Sequence, residues 1–222
     1  MDLMLMGKIA VIVVVALLLW RRLAAARGRQ TQERDHMLDG FVPVLEGAEI
    51  GHTPWHYGNI EGWLDGRAAR IDLLPDTLIT RHIPTLWLRA RWARPHEGWL
   101  CVTKDLNGAE FFSEDCERGT RLSPPAGWPT NVEVRGSGSQ SLALRQRLAD
   151  LDLSAYPSLK QLVLTGSEVK LVMSAAHGDF SIYRVTRSAE FTADAVSPAL
   201  IDETLALLRA LDEHIPAAEE AA

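Results

Sequence analysis

The chain has 222 residues, 47% hydrophobic and 23% charged, with 29 acidic against 23 basic side chains and a formal net charge of −6. That length suits one well-cored domain or two small ones. An acidic body repels nucleic acid and anionic lipid except through a local basic patch, and two cysteines are too few for a disulfide framework.

Ile9 to Trp20 is an unbroken run of twelve apolar residues that stops at Arg21-Arg22. Counted back to Leu3 it becomes eighteen mostly apolar residues, interrupted by Gly7 and Lys8. As a helix rising about 1.5 Å per residue it would be ~27 Å long, close to a ~30 Å hydrocarbon core. The expectation is a single-pass transmembrane anchor within residues 1–26, contacting the lipid bilayer through residues 3–20. Lys8, Trp20, Arg21 and Arg22 are then its membrane-interface anchors. A cleaved signal peptide competes, with Ala24-Ala25-Ala26 as small residues. The apolar leader before Lys8 and the stop-transfer arginines oppose it. Arg21, Arg22, Arg27, Arg29 and Arg34 follow the span, and only Lys8 precedes it. The positive-inside rule therefore expects an inner-membrane protein with its N-terminus outside and its C-terminal domain cytoplasmic. Cys101 and Cys116 suit a reducing compartment.

Residues 27–40 read as a polar juxtamembrane linker, 41–215 as a domain with a possible division at the proline-rich 122–130, and 216–222 as a frayed tail. From Phe41 onward, seventeen basic residues face twenty-five acidic ones. Asp65-Gly66 predicts a tight hairpin between His56–Leu64 and Arg67–Leu74. Asn107-Gly108 predicts another between Trp99–Lys104 and Glu110–Phe112. Leu86 to Trp92 alternates, sending Leu86, Leu88, Ala90 and Trp92 to a core and Trp87, Arg89 and Arg91 outward. Gly166-Ser167 joins strands Leu159–Leu164 and Glu168–Met173, and Gly178-Asp179 leads to Phe180–Val185, completing a meander. Two amphipathic helices are predicted. Gln140–Leu151 carries a Leu144, Leu148, Leu151 stripe after Ser139 as N-cap. Ser197–His214 has Ser197 as N-cap, Pro198 first, and Ile201, Leu205, Leu208 and Leu211 on one face. The expected fold class is α+β: a transmembrane helix, then a mainly antiparallel-sheet domain with two amphipathic helices.

The stretch GNIEGWLDGRAARIDLL, the Val-rich strand Asn131–Arg135, the leucine helix, the meander and the terminal leucine helix together span Gly58 to Ile215. This layout resembles bacterial membrane-anchored proteins of unknown function. Glu110-Phe111-Phe112 departs from the acidic-phenylalanine middle loop of that pattern. The resemblance implies layout and anchoring, and carries no catalytic residues.

Candidate chemistry is sparse. His52 and His56 have helical metal-ligand spacing, but Pro54 lies between them and no glutamate follows the first, so a solvated pair is the simpler assignment. Asn131–Arg135, the Gly136-Ser137-Gly138-Ser139 turn and the next helix could present amides to a phosphate, yet lack a third glycine and a Gly-Lys-Ser/Thr ending. Cys116 lacks the arginine six residues on that a phosphatase loop needs, since Leu122 is there and Arg121 falls one short. Asp105, Asn107, Glu110, Glu114, Asp115 and Glu117 miss the spacing of a calcium loop. No serine-hydrolase elbow and no cofactor motif occurs.

Arginine interleaved with tryptophan is the sharpest surface pattern, and Trp87, Arg89, Arg91 and Arg94 are the candidate partner-binding residues. The role expected is a non-enzymatic, membrane-anchored accessory or scaffold subunit that binds a protein partner in a membrane assembly, with no nucleic acid and no cofactor. The alternatives are a ligand-sensing domain, or an unfamiliar enzyme gathering His52, His56, His82 or His96 in one cleft.

Overall fold

The computed structural model describes residues 15, 17, 18, 20, 21, 34, 36–51, 57–76, 84–105, 118–179, 181, 183, 184, 189, 191 and 195–215. Among them no helix is long and apolar enough to cross a membrane. This corrects the expected transmembrane helix and the single-pass inner-membrane placement built on it. The unbroken apolar run is only twelve residues, which as a helix covers about 18 Å of a ~30 Å hydrocarbon core. Its extension to eighteen depended on passing Gly7 and Lys8, and most of residues 3–20 lie outside the described set.

The α+β expectation is corrected as well, because the described chain is mainly one large antiparallel sheet with few helices. Its strands are β1 (Glu46–Gly51), β2 (Asn59–Leu64), β3 (Arg67–Asp76), β4 (Thr85–Ala93), β5 (Leu100–Lys104), β6 (Thr120–Leu122), β7 (Val132–Gly136), β8 (Leu159–Leu164) and β9 (Glu168–His177). The nine lie in the order β1-β2-β3-β4-β9-β8-β5-β7-β6. Helix α1 (Gly138–Arg147) follows β7, and α2 (Pro198–His214) follows β9. The strands flanking the proline-rich loop, β6 and β7, pair with each other inside this sheet.

Local sequence explains the hairpins. Asp65 (φ 50°) and Gly66 (φ 75°) both take positive φ, the geometry of a two-residue type I′ turn, and β2 and β3 pair down to Leu64↔Arg67. Gly166-Ser167 closes the β8–β9 hairpin. The meander then ends. Ser181, Tyr183 and Arg184 are helical rather than a third strand, and the free side of β9 is taken by β4, from Thr85↔His177 to Ala93↔Glu168. The turn expected at Asn107-Gly108 and the strand at Glu110–Phe112 lie outside the described residues.

Because side chains alternate along each strand, one sheet face collects the apolar residues. Ile60, Ile71, Leu88, Ala90, Trp92, Leu100, Val134, Leu162 and Leu171 join one buried cluster with Leu144 of α1 and Leu207, Leu208 and Leu211 of α2. On α2, Ser197 caps the first turn by accepting from Leu200 N–H at 3.2 Å, and Pro198 is the first helical residue. Its buried stripe is wider than the sequence suggested, taking in Leu200, Thr204 and Leu207 as well. α1 starts two residues earlier than expected, at Gly138, with Ser137 as N-cap, and passes into a 3-10 turn at Leu148–Asp150. It lies close enough to β7 that a Cβ on Gly136 would sit 2.6 Å from Ser141 Cβ.

Leu211 is fully buried in the cluster, whereas Leu142 is an exposed leucine. In urea titrations Leu211→Ala is expected to lower stability by about 2–5 kcal/mol and Leu142→Ala by about 0.5 kcal/mol or less. Equal effects would contradict the assignment of the core face.

Candidate functional site

The second sheet face carries the charge. Along one row of directly paired residues the strands present Glu49 on β1, Glu61 on β2, Arg70 on β3, Arg91 on β4 and Lys170 on β9. The adjacent row begins Glu46, Trp63, Ala68 on β1, β2 and β3. Ala93 is paired with Glu168 further along it. These two rows border a groove of about 680 Å³ whose lining includes Glu49, Glu61, Trp63, Ala68, Arg70 and Arg91. Trp63 is 54% exposed, an unusual position for so large an apolar surface.

One carboxylate organises the arginines. Asp72, buried on β3, accepts from Arg89 Nε at 2.8 Å and Arg89 Nη2 at 2.9 Å, a bidentate pair. The same group lies 3.5 Å from Arg91 Nη2 and 3.7 Å from Arg70 Nε. Arg70 also donates to Glu61 at 2.8 Å. Arg91 is left with the weakest tie, and its Nε is buried without a hydrogen-bond partner among the described residues. This is an arrangement suited to reading carboxylates and apolar side chains, and Ser167 and Glu168 at the β8–β9 turn complete the lining.

The four residues singled out from sequence separate. Arg91 lines the groove and Arg89 is committed to Asp72. Trp87, expected to face outward into solvent, is buried on the second face against Val172 with Leu74 beside it. Arg94 follows the end of β4 and is buried under the C-terminus of α2. Its Nη2 lies 2.9 Å from Asp212 Oδ1 and donates to the carbonyls of Asp212 (3.1 Å) and Ile215. There it satisfies carbonyls that the helix end leaves open and complements the negative end of the helix dipole. Arg67 shares Asp212 at 2.6 Å and stacks over Trp92 at 4.8 Å.

Among the expected interface anchors, Trp20 is 68% exposed and Arg21 is exposed and helical, while Lys8 and Arg22 lie outside the described residues. His52, His56, His82 and Cys116 also lie outside them. The Gly136–Ser139 turn is already engaged, because Ser137 N–H donates to Ser141 Oγ at 2.8 Å. Of the acidic stretch, Asp105 accepts from Asn131 at 2.5 Å and Lys160 at 3.3 Å, hydrogen bonds that hold its carboxyl below the usual range. Among the described residues no group of three His, Cys, Asp or Glu side chains could hold a metal ion.

Glu49, Glu61 and Arg70 were not among the residues singled out, and Trp63 entered only as a neighbour in sequence of the arginine-tryptophan pattern. The signal for two of them was present, since a two-residue Asp65-Gly66 turn sets Leu64 opposite Arg67 and hence Glu61 opposite Arg70. No protein-family model, no curated protein and no solved structure matches the chain.

His96 provides a titration test of the seam near Arg94. Buried, it donates from Nδ1 to the Arg94 carbonyl at 2.7 Å, and its backbone N–H donates to Gly166 at 3.3 Å. Burial lowers its pKa from 6.5, the Arg94 carbonyl opposes this, and the Arg94 charge adds to it. The unfolded histidine thus binds a proton at a higher pH than the folded one. Its contribution to stability is complete above pH 6.5 and declines as pH falls through that value toward the folded pKa. In urea titrations from about pH 7.5 to about pH 5, His96→Asn is expected to lose less stability than the wild type. Parallel losses would contradict a buried neutral His96.

Proposed function

We propose that this chain is a non-enzymatic accessory or scaffold subunit that joins a protein assembly through the open β1–β4 end of the second sheet face. The observation that carries this is Trp63, exposed at 54% beside Arg70 and Arg91 in a groove of about 680 Å³. Tryptophan and arginine are enriched among the residues that carry protein-binding energy, the first through its large rigid apolar area and the second through its planar fork of donors. The groove's volume falls within the range of small-ligand sites, about 300–1,000 Å³. Its lining, however, mixes charged side chains of both signs with Trp63, Ala68 and Ser167 on an open strand surface, which favours a macromolecular partner.

The test is quantitative co-purification of the tagged full chain with and without Trp63→Ala. A stoichiometric protein partner is expected, weakened about tenfold or more by the substitution, as for an interface hot spot. Unchanged retention of every co-purifying protein would count against the assignment of this face.

A further inference from the structure

We infer that the partner seated on this face is a second copy of the chain, forming a two-fold dimer; this rests on the docking role proposed above and names its occupant. The order of charges along the principal row leads to it. From the sheet edge inward the signs run minus, minus, plus, plus, plus, at Glu49, Glu61, Arg70, Arg91 and Lys170. Like charges stand directly opposite each other at Glu49↔Glu61, Arg70↔Arg91 and Arg91↔Lys170, and only Glu61↔Arg70 is an opposite pair. Like charges on directly paired strands destabilise a sheet, and the single Asp72 carboxylate, 3.7 Å from Arg70 and 3.5 Å from Arg91 but shared with Arg89, offsets this segregation only in part.

A second copy resolves it. A two-fold axis in the plane of the interface, parallel to the strands and midway between β2 and β3, reverses the strand order of the facing sheet. Glu61 of each copy then lies over Arg70 of the other, and Glu49 over Arg91. In the adjacent row the same axis sets Trp63 over Ala68 and Glu46 over Ala93. The bulkiest exposed side chain of the face therefore meets one of its smallest, and the four charged residues on β1 to β4 each find their opposite, while Lys170 on β9 lies beyond the facing sheet's edge. Such self-complementarity is what an isologous interface requires. Packed sheets align within about 30° at a spacing of about 10 Å, which keeps these pairings within side-chain reach.

An axis across the strands instead would set glutamate on glutamate and arginine on arginine. A partner of uniform charge would be repelled by half of the row. The Arg91 guanidinium is held by Asp72 only at 3.5 Å, through Nη2, and so retains capacity for an incoming carboxylate.

The experiment is sedimentation of the full chain and two charge reversals, Glu49→Arg and Arg91→Glu, at about 1 to 100 µM. The wild type is expected to dimerise, and each reversal to weaken the dimer about tenfold or more. An equimolar mixture of the two variants is expected to recover near wild-type association, because in the mixed dimer the two introduced charges face each other in one copy of the contact and the native Glu49–Arg91 pair stands in the other. Within one chain β1 and β4 are three strand spacings apart, about 14 Å, so recovery on mixing cannot come from an intrachain contact. Recovery also shows that both variants are folded.

A monomeric wild type, association indifferent to both reversals, or a mixture that behaves like its components would each overturn the dimer. A monomeric chain whose heterologous partner is lost on Trp63→Ala overturns the dimer alone. A monomeric chain with no Trp63-dependent partner overturns the docking role too.

Discussion

The pairing of β4 with β9 is the joint on which the molecule depends. It is long, running from Thr85↔His177 to Ala93↔Glu168, and it links strands far apart in sequence. On one side of it lie β3, β2 and β1, and on the other β8, β5, β7 and β6. Closing such a distant pair costs chain entropy that local hairpins do not, and the buried faces of Leu88, Ala90, Leu171 and Met173 on the two strands offset it. Without this joint there would be two small sheets, each with an additional raw edge.

Two consequences follow, one on each face. On the core face a continuous apolar surface extends across the joint and receives α1 and α2. The end of α2 is held by Arg94, just past β4, and by Arg67 at the start of β3, both directed at Asp212. The charge of Arg94 is tolerated in a buried position because an acidic side chain and helix-terminal carbonyls surround it. On the second face the same joint brings Lys170 beside Arg91 and so extends the basic half of the charged row.

Those parts of the fold governed by neighbouring residues were legible in the sequence. The Asp65-Gly66 hairpin, the alternation of Leu86, Leu88, Ala90 and Trp92, and the Ser197-Pro198 start of α2 each rest on local chemistry. What depended on distant partners was not. Trp87 has the parity of an outward residue and does lie on the second face, but Val172 from β9 packs against it there. Arg94 looked like a further member of the arginine series, yet its parity is that of Trp92, and it points under α2. The strand expected after Gly178 failed because turn residues alone do not say which edge β9 will pair with. The expected membrane span was reached only by summing hydropathy across Gly7 and Lys8, beyond an unbroken run of twelve residues, and among the described residues no helix is long and apolar enough to cross a membrane.

The candidate site was half legible for the same reason. Arg91 was visible as part of an Arg/Trp pattern, whereas its setting among Glu61, Trp63 and Arg70 exists only once β2, β3 and β4 are in register. The charged row and the core face are therefore two readings of one registered sheet, and both fail together if the register at β4–β9 is wrong. Interstrand nuclear Overhauser contacts in the isotope-labelled chain address this most directly. The account predicts contacts linking Arg91 with Lys170 and Arg89 with Val172. Their absence, with β9 contacts confined to β8, would contradict the continuous sheet and the face built upon it.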